Sequence, residues 1–97
     1  MFRHVAMFRF TAESTPDQRE AMLESLRGLP AVIPELRDYR VGTDQGLVEG
    51  NWQAAVVADF DDVEDWQTYT NHPDHRRIIA EQVQPIVAER AAVQYQS

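Results

Sequence analysis

The stretch YTNHPDH, residues 69 to 75, gathers one tyrosine and two of the chain's three histidines around a proline. An imidazole near its neutral form removes protons at pH 7, and a phenolic hydroxyl donates a hydrogen bond to the oxygen on which charge then develops. Proton removal beside a carbonyl is the chemistry such a pair can serve, and it needs no cofactor. Proline crowds the residue before it out of the helical region, so one helix should end at His72 and another begin at Pro73. His75 then lies in the first turn of the second helix, where the helix dipole disfavours an imidazolium, while Asp74 and its neighbours act in the opposite direction. The third histidine, His4, falls on a strand face among phenylalanines, as a pocket-lining or quietly hydrogen-bonded core residue would. A capping role for His72 and His75, with Tyr69 as plain core, is the competing reading of the same residues.

The elements that must hold these groups follow from periodicity. Residues 2 to 10 alternate, with Phe2, His4, Ala6, Phe8 and Phe10 on one face and Val5 and Met7 among the arginines on the other. Thr15, Pro16 and Gln18 form the capping box and first-turn proline of a helix whose stripe is Met22, Leu23, Leu26 and Leu29, closed by Gly28 and Pro30. A second strand is expected over Leu36 to Val41 and a third over Asn51 to Phe60, where Trp52, Ala54, Val56, Ala58 and Phe60 share a face. Asp61 with Glu64 is the expected cap of the helix carrying Val63, Trp66 and Tyr69 inward. Ile78, Ile79, Val83 and Ile86 give the helix after Pro73 its apolar side, and Arg90 to Gln96 reads as a last strand.

The order βαββαβ predicts an α+β, ferredoxin-like domain over residues 1–97: a four-stranded antiparallel sheet with helices on one face. Apolar residues on both faces of the first and third strands leave the far side of the sheet unsuited to water, so a C2 homodimer with two sheets packed face to face is expected. The core of a 97-residue chain is modest, which also favours a partner subunit.

Composition narrows the function. Sixteen acidic residues against nine basic ones, a net charge of −7, supply no basic footprint for nucleic acid or an anionic membrane. No apolar run approaches membrane-spanning length, and the N-terminus lacks a signal-peptide pattern, so a cytoplasmic location is expected. Without cysteine there are no disulfides, thiolate zinc sites, iron–sulfur clusters or cysteine nucleophiles. His72, Asp74, His75 and His4 are the candidate metal ligands, but a proline separates the histidines of His-x-x-His and no third ligand stands at a convincing spacing, so no metal site is expected. The acidic run from Asp59 to Asp65 suits a solvated helix start.

A strand with histidine and a phenylalanine-rich end (HVAMFRF), a strand ending in DF, a helix with tryptophan and tyrosine, and Y-x-x-H-P-x-H together resemble the stress-responsive A/B barrel (Dabb) family along nearly the whole chain. The resemblance implies ferredoxin-like chains that dimerise into an α+β barrel, and some plant members are stress-associated. Related plant polyketide cyclases use the last histidine of the motif as general base and its leading tyrosine as partner in an aldol condensation. By matching positions these are His75 and Tyr69. His4, Phe8, Trp52, Trp66 and His72 are then the expected substrate-binding residues, Phe10 lies among the aromatics of the same pocket, and the ligand is a hydrophobic, polyketide-like small molecule. A cofactor-free monooxygenase of similar architecture and a non-enzymatic, stress-linked binding or structural protein are the alternatives.

Overall fold

In a computed structural model that describes all of residues 1–97, the chain runs β1 (Phe2–Phe10), α1 (Pro16–Arg27), β2 (Asp38–Thr43), β3 (Ala54–Phe60), α2 (Val63–Asn71), α3 (Pro73–Ile78) and β4 (Val87–Gln96). The strands form one antiparallel sheet in the order β2-β3-β1-β4. This is the ferredoxin-like α+β architecture expected from the pattern, with the helices on one face. No helix is long and apolar enough to cross a membrane.

Alternation fixes which side chains meet the helices. On β1, Phe2, His4, Ala6, Phe8 and Phe10 are buried while the residues between them are half-buried. Ala54, Val56, Ala58 and Phe60 of β3 stand beside them in register. Against this face α1 packs Met22, Leu23 and Leu26, and a single 3₁₀ turn, Leu29–Ala31, adds Leu29. Helix α1 starts as its residue types require: the Thr15 hydroxyl accepts from Gln18 N–H, the Gln18 side chain accepts from Thr15 N–H, and Pro16 occupies the first helical position.

Several boundaries differ from those expected. Strand β2 begins at Asp38, because Leu36 turns to pack against the core instead of pairing. Strand β3 begins at Ala54, where an irregular approach ends: Gln53 N–H donates to the Phe8 carbonyl and the Gln53 side chain accepts from Phe10 N–H. That detour swings Trp52 out of the alternation. Its ring lies under the Arg9 guanidinium, 4.1 Å from centroid to carbon, and does not share the face of Ala54 and Val56. Gly46 and Gly50, at φ of 75° and 87°, carry the loop that makes this turn. Helix α2 is capped by Asp62, which accepts from Asp65 N–H; Asp61 is engaged instead by Arg37 at 2.9 Å, and Val63 is exposed rather than inward. Strand β4 starts three residues earlier than Arg90, at Val87.

The helix break falls at the expected place. His72 is extended, at φ −60° and ψ 135°, and its Nδ1 accepts from Asp74 N–H at 3.1 Å, so the imidazole caps α3. Past Ile78 the chain widens into a π turn, Ile79–Val83, with Gln84 N–H donating to the Ile79 carbonyl. If the cap is what His72 contributes, His72→Ala costs about 1 kcal/mol of unfolding free energy and His72→Asn restores most of it, as read by urea denaturation.

Candidate functional site

Tyr69 closes α2 and His75 opens α3, and the break between them turns the two side chains toward each other with ring centroids 4.3 Å apart. They line a small cavity between the helices and the sheet, of about 70 Å³, together with His4, Phe8, Trp66 and Arg90. Ala6 and Val56 form its floor on the sheet, and Leu26, Thr70 and Ile79 enclose it from the helices. The cavity thus sits on the helix-covered face, and its one charged side chain, Arg90, comes from β4, whose residues the helices leave largely exposed.

Hydrogen bonds outside the cavity set the proton positions within it. His75 Nδ1 is 3.2 Å from the Thr70 carbonyl oxygen, which can only accept, so Nδ1 carries the proton and Nε2 is left with its lone pair. His4 is held in the opposite tautomer: the Gln94 amide nitrogen donates to His4 Nδ1 at 2.9 Å, which leaves the proton of the neutral ring on Nε2. One imidazole is therefore a base and the other a donor. Tyr69 and Tyr39 share a hydrogen bond of 3.0 Å. Burial raises the pKa of both phenols, and the bond to Tyr39 partly opposes that rise at Tyr69. Either hydroxyl can donate in this bond; with Tyr39 as the donor, the Tyr69 proton is free for another acceptor.

Electrostatics keep both rings neutral. Burial lowers the pKa of His4 to about 4, with the positive charge of Arg90 and the neighbouring His75 adding to the shift. His75 is lowered as well, first by burial, against the raising effect of the Thr70 carbonyl, with Arg90 and His72 lowering it further. The Arg90 charge also favours the ionised form of Tyr69, against its burial.

Among the residues expected from sequence, His4, Phe8, Trp66, Tyr69 and His75 come together. Trp52 does not: it lies on the opposite face of the sheet with Met7, Ala55 and Val57. His72 stands outside the cavity as the cap of α3, and Phe10 lies beyond it, beneath the Arg19 guanidinium. Arg90, Tyr39 and Gln94 were not anticipated. The alternation of β4 could have placed Arg90 and Gln94 on the helix-side face, but nothing in it marks their pairing opposite Phe8 and His4.

Comparison with known proteins supplies the family. The model of the stress responsive A/B barrel domain matches residues 2–97. The chain belongs to that family. A dimeric ferredoxin-like protein of unknown function from Thermobifida fusca is 46% identical, with a TM-score of 0.91 over 99% of this chain and 90% of that one. A second dimeric protein of unknown function with a ferredoxin-like fold, from Bacteroides fragilis, is 26% identical with a TM-score of 0.79 over 99% and 95%. A hydroxynitrile lyase from Passiflora edulis shares the fold at 19% identity, with a TM-score of 0.84 over 97% and 90%. No curated protein matches the chain.

The neutral histidines of this A/B barrel domain make a prediction about stability. Unfolded histidine titrates near pH 6.5, whereas folded His4 holds no proton until about pH 4. As pH falls between those values the unfolded chain binds the extra proton, so stability is present above about 6.5 and is lost toward 4. His4→Gln should reduce the loss measured by urea denaturation between about pH 7 and 4.5, a window above most carboxylate titration. An unchanged loss would contradict a buried, neutral His4.

Proposed function

We propose that this A/B barrel protein is a cofactor-free acid–base catalyst of the lyase or cyclase kind, with His75 as general base and Tyr69 as hydrogen-bond donor. One observation carries the reading: the Thr70 carbonyl holds the His75 proton on Nδ1, which leaves a neutral Nε2 beside the Tyr69 phenol, whose proton is free when Tyr39 donates to it. In the reaction, Nε2 takes a proton from carbon next to a carbonyl, the enolate oxygen accepts from Tyr69 and from His4 Nε2–H, and the imidazolium returns the proton after the carbon–carbon bond has formed or broken. The same pair can take a hydroxyl proton while an adjacent carbon–carbon bond cleaves, and the Passiflora edulis neighbour is named for a reaction of that type.

Volume bears on the substrate. About 70 Å³ is well below the roughly 300–1,000 Å³ of pockets for drug-sized ligands. It favours a carbonyl compound of a few non-hydrogen atoms over an extended polyketide chain. The same small volume favours, as second reading, a barrel whose interior is mainly packing and which catalyses nothing.

A second copy is the proposed partner. The far face of the sheet carries Val5, Met7, Ala55, Val57 and Ala91, with Val93 and Tyr95 exposed at 54% and 44%, around the half-buried Arg3–Asp59 ion pair. The Thermobifida and Bacteroides proteins are described as dimeric, and a like sheet laid on this face would remove its apolar area from water.

Two outcomes are expected. In D₂O, small carbonyl compounds incubated with the protein incorporate deuterium at the α-carbon by NMR; His75→Ala slows this by about 10²-fold or more and Tyr69→Phe by about tenfold, at nearly unchanged melting temperature. Absence of exchange across the panel, or a collapse of stability in His75→Ala, would instead support the packing reading. Light scattering after gel filtration should give twice the 11.2 kDa chain mass, and Val57→Glu should return it to the single-chain value; a monomeric parent would overturn the dimer.

A further inference from the structure

We propose that the cavity selects a short-chain carboxylate, of the 3-keto acid type, with Arg90 as the residue that binds its carboxylate group. The carbonyl in this ligand rests on the acid–base reading above; the carboxylate rests on the arginine.

All nine basic residues of the chain are arginines, set among sixteen carboxylates. Eight of them are engaged. Arg3, Arg9, Arg27, Arg37, Arg40 and Arg77 are paired with Asp59, Glu89, Glu20 and Glu24, Asp61, Asp38 and Asp74 respectively, while Arg19 bonds to Ser14 and Arg76 to Asn71. The exposed side chain of Arg90 alone has no hydrogen bond or ion pair within the chain, although acidic residues outnumber it so heavily. Its position explains why. It stands opposite Phe8 on the helix-side face, lines the cavity, and meets no carboxylate among the cavity's lining residues.

A second unpartnered donor lies in the same wall: the Trp66 Nε1–H is buried and has no acceptor. A buried donor without a partner is uncommon and destabilising, so the Trp66 Nε1–H calls for an explanation, whereas the exposed Arg90 guanidinium is solvated until a ligand displaces that water. With His4 Nε2–H and, when Tyr39 donates to it, the Tyr69 hydroxyl, the residues lining the cavity carry four donor groups, against a free acceptor in the His75 Nε2 lone pair. Such a lining fits a ligand made of acceptors. A carboxylate takes the forked guanidinium in two parallel bonds, and a keto oxygen two or three carbons away takes the neutral donors. The enclosed volume limits that ligand to a short chain. It also argues for a free small molecule over an acidic side chain of another protein.

The probes are acetoacetate and methyl acetoacetate, which differ in the charge of the carboxyl end and by one ester methyl, so the Arg90 variants separate the effect of charge from that of size. Binding is read on the full-length protein from the His4 and His75 ring signals in carbon–proton NMR spectra, a measurement that needs no turnover. Acetoacetate should bind at least about tenfold more tightly than the ester, Arg90→Gln should remove that preference, and Arg90→Lys should restore part of it. Equal binding of acid and ester, no response to millimolar acetoacetate, or an Arg90→Gln variant that keeps the preference would overturn the proposal. Deuterium exchange of neutral ketones without any preference for the acid overturns this inference and leaves the acid–base reading in place. Arg90-dependent binding of acetoacetate without deuterium exchange does the reverse.

Discussion

Proline at position 73 has no N–H to give a helix and crowds the backbone of His72, and the arrangement of the cavity depends on the helix break this produces. A continuous helix through residues 63 to 78 would place Tyr69 and His75 nearly two turns apart, about 9 Å along one axis. The break lets α2 end and α3 start in a new direction, so two side chains six positions apart bring their rings within 4.3 Å. The break also frees the Thr70 carbonyl from the helical ladder, and that carbonyl orients the His75 ring. His72 makes the interruption tolerable by capping the new helix with its own imidazole.

Around this turn, burial and charge act on the same groups. The helices remove His4 and His75 from water, which disfavours their protonated forms, and Arg90 adds a cation that disfavours them further. A site of this kind keeps both imidazoles unprotonated at neutral pH while holding a single positive charge for a ligand. The cation is tolerated because it stays on β4, where the helices leave the sheet open and the guanidinium keeps contact with solvent. The far face of the sheet follows a different logic: its charged residues pair with each other, as Arg3 does with Asp59 at 2.7 Å, and its apolar residues stay available for another surface.

Much of this was legible in the residues themselves. Strict alternation from Phe2 to Phe10, the Thr15–Gln18 capping box, and the proline of YTNHPDH are local signals, and each produced the expected element. The same local reasoning brought His4, Tyr69 and His75 onto elements that face one another. It misplaced Trp52, because the alternation was carried two residues past the point where Gln53 leaves the ladder to bond with Phe8 and Phe10. Asp62 rather than Asp61 caps α2 for a similar reason: Arg37, distant in sequence, holds Asp61.

The sequence by itself determined the order of elements, the break at Pro73 and the family of folds, since these rest on dihedral preferences and on periodicities of a few residues. Only the tertiary structure decided which nitrogen of each histidine is free, because Thr70 fixes one ring from its own chain segment and Gln94 fixes the other from ninety residues away. It alone showed that Tyr39 supports Tyr69 and that Arg90 enters the cavity without a counter-charge. Strand register across β1 and β4 sets Gln94 opposite His4 and Arg90 opposite Phe8, and register is a property of the paired sheet that no single strand contains.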